Sequence, residues 1–153
     1  MTLQPFQTKI VTLLIQQELL LAELYQLFAA KIPEQRDFWV TMQHEELEHA
    51  QWVEHLSEKA AMGEVTFSED RARTYTIQAF IEFVRAMLEK ARASSPSFRE
   101  ALSTAAGMEE AILEKKVFEH FRGDSPIVSD MLKRLHIETS QHRERLREIQ
   151  RTL

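Results

Sequence analysis

The sequence predicts an all-α protein: a four-helix bundle with one long crossover connection that contains an additional short helix. Three observations predict this fold. The 153 residues include only three Gly and four Pro, the residues that most often interrupt helices. Apolar residues recur at helical spacing through long segments. These segments form two hairpins, joined by a stretch long enough to recross the bundle. We therefore expect residues 1–153 to fold as a single domain.

The first hairpin is predicted to contain two long helices. Residues 3–31 form the first, because no Gly or Pro interrupts them after Pro5. The second begins at Pro33, since proline is well tolerated at the first helical position. It continues to about Met62, where Gly63 suits the end of a helix.

The crossover and the second hairpin fill the remainder of the chain. Residues 64–73 show no helical period and are predicted to connect the hairpins, and a shorter helix follows over about 74–93. The second hairpin is predicted to contain helices over about 97–121 and 126–151. Gly123 and the polar residues after it mark the turn between them.

Composition excludes several classes of protein. A formal charge of −5 makes nucleic acid an improbable partner, and the absence of cysteine excludes disulfides and thiolate metal sites. No stretch resembles a signal sequence, and none approaches the roughly 20 apolar residues needed to span a bilayer. A cytoplasmic location with no membrane partner is therefore expected.

The second helix carries the motif around which the functional prediction is built. Trp39, Met42 and Val53 form an apolar seam at helical spacing, and Glu46 and His49 lie in the middle of it. An unpaired charge in a bundle interior costs several kcal/mol, which makes these residues unusual for a simple core helix. Glu-x-x-His on a bundle helix is a known way of holding iron or manganese.

Other inward polar residues are predicted at the same height in the bundle. Glu18 lies roughly 22 Å before the Pro33 turn and Glu46 roughly 20 Å after it, at about 1.5 Å per helical residue. Glu110 and Glu138 are similarly placed about the second turn, each roughly 21 Å from it. Neither the Glu18 nor the Glu110 stripe offers its own Lys or Arg partner. The predicted metal ligands are Glu18, Glu46, His49, Glu110, Glu138 and His142.

We interpret these residues as ligands of two divalent metals about 3.5–4 Å apart. Carboxylates and imidazoles together favour iron, with manganese or zinc as alternatives. One metal is assigned to Glu18, Glu46 and His49, and the other to the remaining three ligands. Glu46 is the favoured bridging ligand.

The pattern resembles the ferritin-like superfamily, and most closely its rubrerythrin-like branch. The matching residues are Glu18 with Tyr25, Phe38-Trp39, Glu45-Glu46-x-x-His49-Ala50, Glu110, and Glu138 with His142. This resemblance covers essentially the whole chain. It implies a dinuclear iron centre that reacts with dioxygen or hydrogen peroxide while Fe(II) is oxidised.

The chain departs from that family in three ways. Thr139 stands where the second Glu-x-x-His would have its glutamate, with Glu138 beside it. Leu113 stands where the family has a further carboxylate, and Glu114 follows it. The absence of cysteine means that no rubredoxin module is present, so an external electron donor or Fe(II) itself must supply electrons.

Less specific interpretations remain open. Glu46 with His49 is also consistent with a buried ion pair that fixes helix register, whereas Glu45 and Glu48 are predicted to be solvated. Tyr25 is a core residue and a candidate redox neighbour of the metals. The alternatives to a di-iron oxidoreductase are a metal-binding protein without turnover and a helical interaction module with a degenerate site. Self-association as a homodimer or higher oligomer is expected.

Overall fold

Long helices dominate the computed structural model of the chain. It describes residues 5–63, 66–67, 71–115, 121–122 and 126–153, and the side chains of 8–59, 61–63, 75–112, 126, 129–131 and 133–153. The helices are α1 (Pro5–Lys31), α2 (Arg36–Ala61), α3 (Arg71–Ala93), α4 (Phe98–Lys115) and α5 (Pro126–Thr152). A single 3₁₀ turn, Pro33–Gln35, precedes α2. The prediction of an all-helical bundle is confirmed at this level.

The turn between α1 and α2 follows from its sequence. Pro33 opens the 3₁₀ turn because its fixed φ suits the first position of a helix and its missing N–H needs no partner there. At the far end of α2, Gly63 adopts a φ of 81°, a left-handed conformation that glycine reaches without steric cost. The second helix, including its 3₁₀ turn, therefore begins and ends near the predicted residues.

The crossover helix α3 is longer than predicted. It begins at Arg71, includes 23 residues, and packs along α1. Ile77, Phe80, Val84 and Leu88 form its buried stripe. The ammonium group of Lys31 donates to the main-chain oxygens of Arg92, in the last turn of α3, and Ser94, just after it, so the C-terminal ends of α1 and α3 lie together.

A short antiparallel ladder was not predicted. Strand β1 (Thr66–Phe67) pairs with β2 (Phe121–Arg122), with Thr66 opposite Arg122 and Phe67 opposite Phe121. The prediction that helix continues to Phe121 is therefore wrong, because this residue is in extended backbone. The ladder connects the crossover to the segment before α5.

A hydrogen bond connects the start of α4 with the end of α5. The guanidinium of Arg99, near the start of α4, donates to the main-chain oxygen of Leu153 at 2.7 Å. Because Leu153 follows α5, α4 and α5 are antiparallel. Helix α2 also contacts α5, so the two hairpins meet and enclose one apolar core with contributions from all five helices.

Helix α1 is apolar enough to be compared with a membrane span. Thr8–Lys31 has the length and composition to cross a bilayer, contrary to the expectation that no stretch would qualify. Half of its most apolar window is buried inside the bundle, as in the core helix of a globular protein. The cytoplasmic location stays a prediction.

Candidate metal centre

Five ionisable side chains from four helices meet inside the bundle. Each is at most 1% exposed: Glu18 from α1, Glu46 and His49 from α2, Glu109 from α4 and His142 from α5. Each lies in an apolar stripe of its helix, so packing that stripe inward carries the polar group with it. We call these five residues the Glu–His cluster.

Glu46 occupies the centre of the cluster. Its Oε2 lies 3.2 Å from Nδ1 of His49, and its Oε1 lies 3.0 Å from Nδ1 of His142. The two imidazole rings are stacked, with centroids 5.3 Å apart. One carboxylate therefore divides its two oxygens between two histidines.

A second carboxylate flanks each histidine. Glu18 Oε2 is 3.9 Å from Nδ1 of His49, and Glu109 Oε1 is 3.5 Å from Nδ1 of His142. The cluster thus consists of two similar halves, each containing one imidazole, one carboxylate of its own and one oxygen of Glu46. We refer to them as the Glu18 half and the Glu109 half.

The outer ring nitrogens are held by carboxylates from the opposite helix. Nε2 of His49, on α2, lies 2.8 Å from Glu138 Oε2 on α5, whereas Nε2 of His142, on α5, lies 2.5 Å from Glu45 Oε2 on α2. An ionised carboxylate only accepts, so each Nε2 carries a proton. Nδ1 of each ring faces Glu46 at the centre of the cluster and would bind a cation there after giving up its own proton, while the carboxylate on Nε2 orients the ring.

Burial and hydrogen bonding act in opposite directions on the pKa values of Glu46 and the two histidines. Burial alone would raise the pKa of Glu46, but hydrogen bonds from His142 and His49 outweigh it and hold that pKa well below its usual range. Burial lowers the pKa of His142, yet hydrogen bonds to Glu109, Glu45 and Glu46 raise it to about 12. The pKa of His49 is likewise raised, with Glu46 opposing the effect of burial.

The two flanking carboxylates are pushed toward their neutral forms. Burial, followed by the charge of Glu46, raises the pKa of Glu18 well above its usual value and that of Glu109 to about 7. Burial and Glu109 also raise the pKa of Tyr25, whose hydroxyl donates to Glu109 Oε1 at 2.7 Å. A bound cation must displace these protons, so the affinity of the cluster for metal rises with pH.

The donor set fits a metal. In the part of the chain that the structure describes, no Lys or Arg pairs with Glu18, Glu46 or Glu109, whose only basic partners are the two histidines. Three buried carboxylates without lysine or arginine partners are costly, and bound cations remove that cost. Glu46, His49 and His142 each present one ligand atom within 4.8 Å of the others, which suits a cation between them.

Four of the six predicted ligands lie together in the structure, whereas Glu110 lies near the surface. Glu18, Glu46, His49 and His142 all lie in the cluster. The inward placement predicted for Glu110 is wrong: its carboxylate is part-exposed and forms an ion pair with Arg147 of α5. Glu109 takes the inward position instead.

The predicted role of Glu138 also changes. Its carboxylate is 26% exposed and contacts the outer nitrogen of His49 rather than the centre of the cluster, because the buried stripe of α5 passes through Thr139. Glu45, which was predicted to be solvated, contacts the outer nitrogen of His142 in the same way. The side chains of Leu113 and Glu114 lie outside the described residues.

Sequence reasoning missed Glu109, Glu45 and Gln17. Glu109 is flanked at i−4 and i+3 by the buried residues Ala105 and Ile112, a signal that was available in the sequence. The amide of Gln17 is fully buried and donates to Glu18 Oε1 at 3.3 Å. Helical periodicity does not identify Glu45, because its partner His142 lies on another helix and the contact depends on how α2 and α5 pack.

The fold and the site together define a class of protein: an all-helical bundle with a buried Glu–His group able to hold a metal ion. Comparison with protein-family models, with curated proteins and with solved structures finds no match. The chemistry of the Glu–His cluster is therefore the basis for proposing a function.

Proposed function

We propose that the Glu–His cluster is a two-metal centre, with iron as the favoured metal, in a ferritin-like bundle. The protein would act as a non-haem di-iron oxidoreductase of rubrerythrin or ferritin type. It would oxidise Fe(II), or reduce peroxide or dioxygen with electrons from an external donor.

The observation that carries the proposal is the division of Glu46 between the two histidines. Its oxygens face different imidazoles at 3.2 and 3.0 Å, and each imidazole has its own second carboxylate. A carboxylate with this environment suits a bridge between two ions about 3.5–4 Å apart. A pair of like halves is difficult to explain as a simple helix-register ion pair, which needs only one Glu and one His.

The donor chemistry favours iron or manganese. Three carboxylates supply hard oxygen donors and two imidazoles add affinity for transition metals, whereas the chain contains no thiolate. Zinc remains compatible with these donors. Bound iron would supply one-electron redox chemistry toward dioxygen or peroxide at a site that the bundle keeps dry.

The chain's own residues would position the ligands and manage protons. Glu45 and Glu138 hold the outer nitrogens of the histidines and so orient both rings. Tyr25 holds Glu109 through its hydroxyl, within reach of the Glu109 half, which supports its role as a candidate redox neighbour.

Anaerobic titration with Fe(II) tests the proposal. We expect close to two ions per chain, followed on exposure to air or peroxide by oxidation of Fe(II) faster than that of the same Fe(II) without protein. Iron binding no greater than that of an unrelated acidic protein would contradict the proposal. Two bound ions without oxidant consumption would retain the metal centre and reject the oxidoreductase.

A metal-binding protein without turnover is the second candidate. The ligand atoms of Glu46, His49 and His142 lie within 4.8 Å of one another, a compact set for one ion. The neutral Thr139 also reduces the ligand charge available to a second ion. One tightly bound ion per chain, with no peroxide consumption, would support this candidate in the same titration.

A further inference from the structure

Helix α5 contributes no carboxylate to the centre of the cluster, since its Glu138 contacts only the outer nitrogen of His49. Thr139 precedes His142 by three residues, as Glu46 precedes His49, so the two occupy equivalent helical positions. Thr139 is 2% exposed, and its hydroxyl donates to the main-chain oxygen of Leu135 at 2.8 Å. The side chain is thus turned back onto its own helix and presents no anion to the centre.

This leaves a charge imbalance if two divalent ions bind, as the proposed function requires. Glu18, Glu46 and Glu109 cancel three of the four positive charges. Glu45 and Glu138 do not supply the fourth negative charge without cost, because each has its own arginine. Arg145 lies 3.2 Å from Glu45, and Arg134 lies 3.9 Å from Glu138. One buried positive charge therefore remains, in a place where an uncompensated charge is expensive.

We propose that the metal-loaded centre takes up one small carboxylate anion from solution on the side facing Thr139. The size of the anion follows from the residue. A threonine side chain ends at its γ atoms, whereas a glutamate continues with a carboxyl group. Formate corresponds atom for atom to that missing group. The protein would thus bind formate, or a similarly small carboxylate, only when metal is present.

Titration with Co(II) under nitrogen, in sodium formate or sodium chloride at equal ionic strength, tests the inference. We expect the second Co(II) to bind more tightly in formate by a factor of roughly 5–150, the usual range for coupling between two ligands. Metal-free protein should show no formate binding by calorimetry. The d–d absorption of the Co(II) protein should change on addition of formate.

Two variants locate the anion. Thr139→Glu supplies the carboxylate from the chain, so its Co(II) affinity should be independent of formate. Thr139→Val replaces the hydroxyl with a methyl group of similar size and adds no charge, so the formate effect should persist. Circular dichroism establishes that each variant is folded; if the buried glutamate prevents folding, Thr139→Val and the wild-type protein decide the result.

Failure of this inference is distinguishable from failure of the proposed function. Two Co(II) ions bound equally well in both salts would overturn the anion site and leave the two-metal centre intact, with hydroxide as the balancing charge. No Co(II) binding would overturn both. A formate effect that persists in Thr139→Glu, or disappears in Thr139→Val, would also overturn the assignment.

Discussion

Glu46→Gln is expected to eliminate binding of both metals. The carboxylate contacts both histidines and is fully buried, so the substitution replaces one of its two ligand oxygens with an amide nitrogen and removes the negative charge that both halves share. Loss of one partner of a buried charge pair costs about 3–5 kcal/mol, which corresponds to roughly two to four orders of magnitude in affinity. Elemental analysis after anaerobic loading and desalting measures the remaining metal.

Glu48→Gln is the matched control for this variant. Glu48 lies two residues further along α2, is exposed, and undergoes the same change of charge. It should retain the metal content of the wild-type protein. If Glu46→Gln retains two ions, Glu46 does not bridge them and the division of the cluster into two halves has no functional meaning.

Metal binding is expected to raise the melting temperature substantially. In the metal-free cluster the buried carboxyl groups of Glu18 and Glu109 have raised pKa values, so keeping them ionised at neutral pH opposes folding. Metal that binds only the folded chain stabilises it. At 100 times the dissociation constant, two sites would raise the melting temperature by roughly 10–20 °C. Thermal unfolding followed by circular dichroism, with Mn(II) or with a chelator, measures this shift.

Glu109→Gln and Glu110→Gln provide a paired control for the stability effect. Glu109 belongs to the cluster, so its variant should lose much of the metal-induced shift, whereas Glu110 pairs with Arg147 outside it and its variant should keep the shift. A melting temperature that neither metal nor chelator changes would favour the helical interaction module with a degenerate site.

Much of the cluster could be predicted from the sequence because charged residues interrupt otherwise apolar stripes. Glu46 and His49 lie between Met42 and Val53, and Glu18 lies in the stripe of α1. Burying these stripes in a bundle forces the polar residues inward. Counting residues from the turns then places them at one height, as the structure shows.

The choice between neighbouring residues could not be made as securely. Successive helical residues are separated by about 100° around the axis. The rotation of α4 about its own axis therefore decides whether Glu109 or Glu110 faces the interior. Contacts with two other helices accompany the observed rotation. Tyr25 of α1 contacts Glu109, and Arg147 of α5 contacts Glu110. No pattern within α4 alone contains those contacts.

The outer carboxylates were unpredictable for a related reason. Glu45 and Glu138 lie at the edges of their stripes, where sequence predicts solvent exposure. Each contacts the cluster only because the opposite helix carries a histidine next to it. The crossing of α2 and α5 creates these pairs, and helical periodicity carries no information about that crossing.

Anomalous diffraction from crystals loaded with Mn(II) or iron tests the central claim most directly. If the cluster is a two-metal centre, the anomalous map should contain two peaks roughly 3.5–4 Å apart. One should lie beside Glu18 and His49, the other beside Glu109 and His142, with Glu46 between them. A single peak shared by the two histidines, or no peak within the bundle, would contradict it.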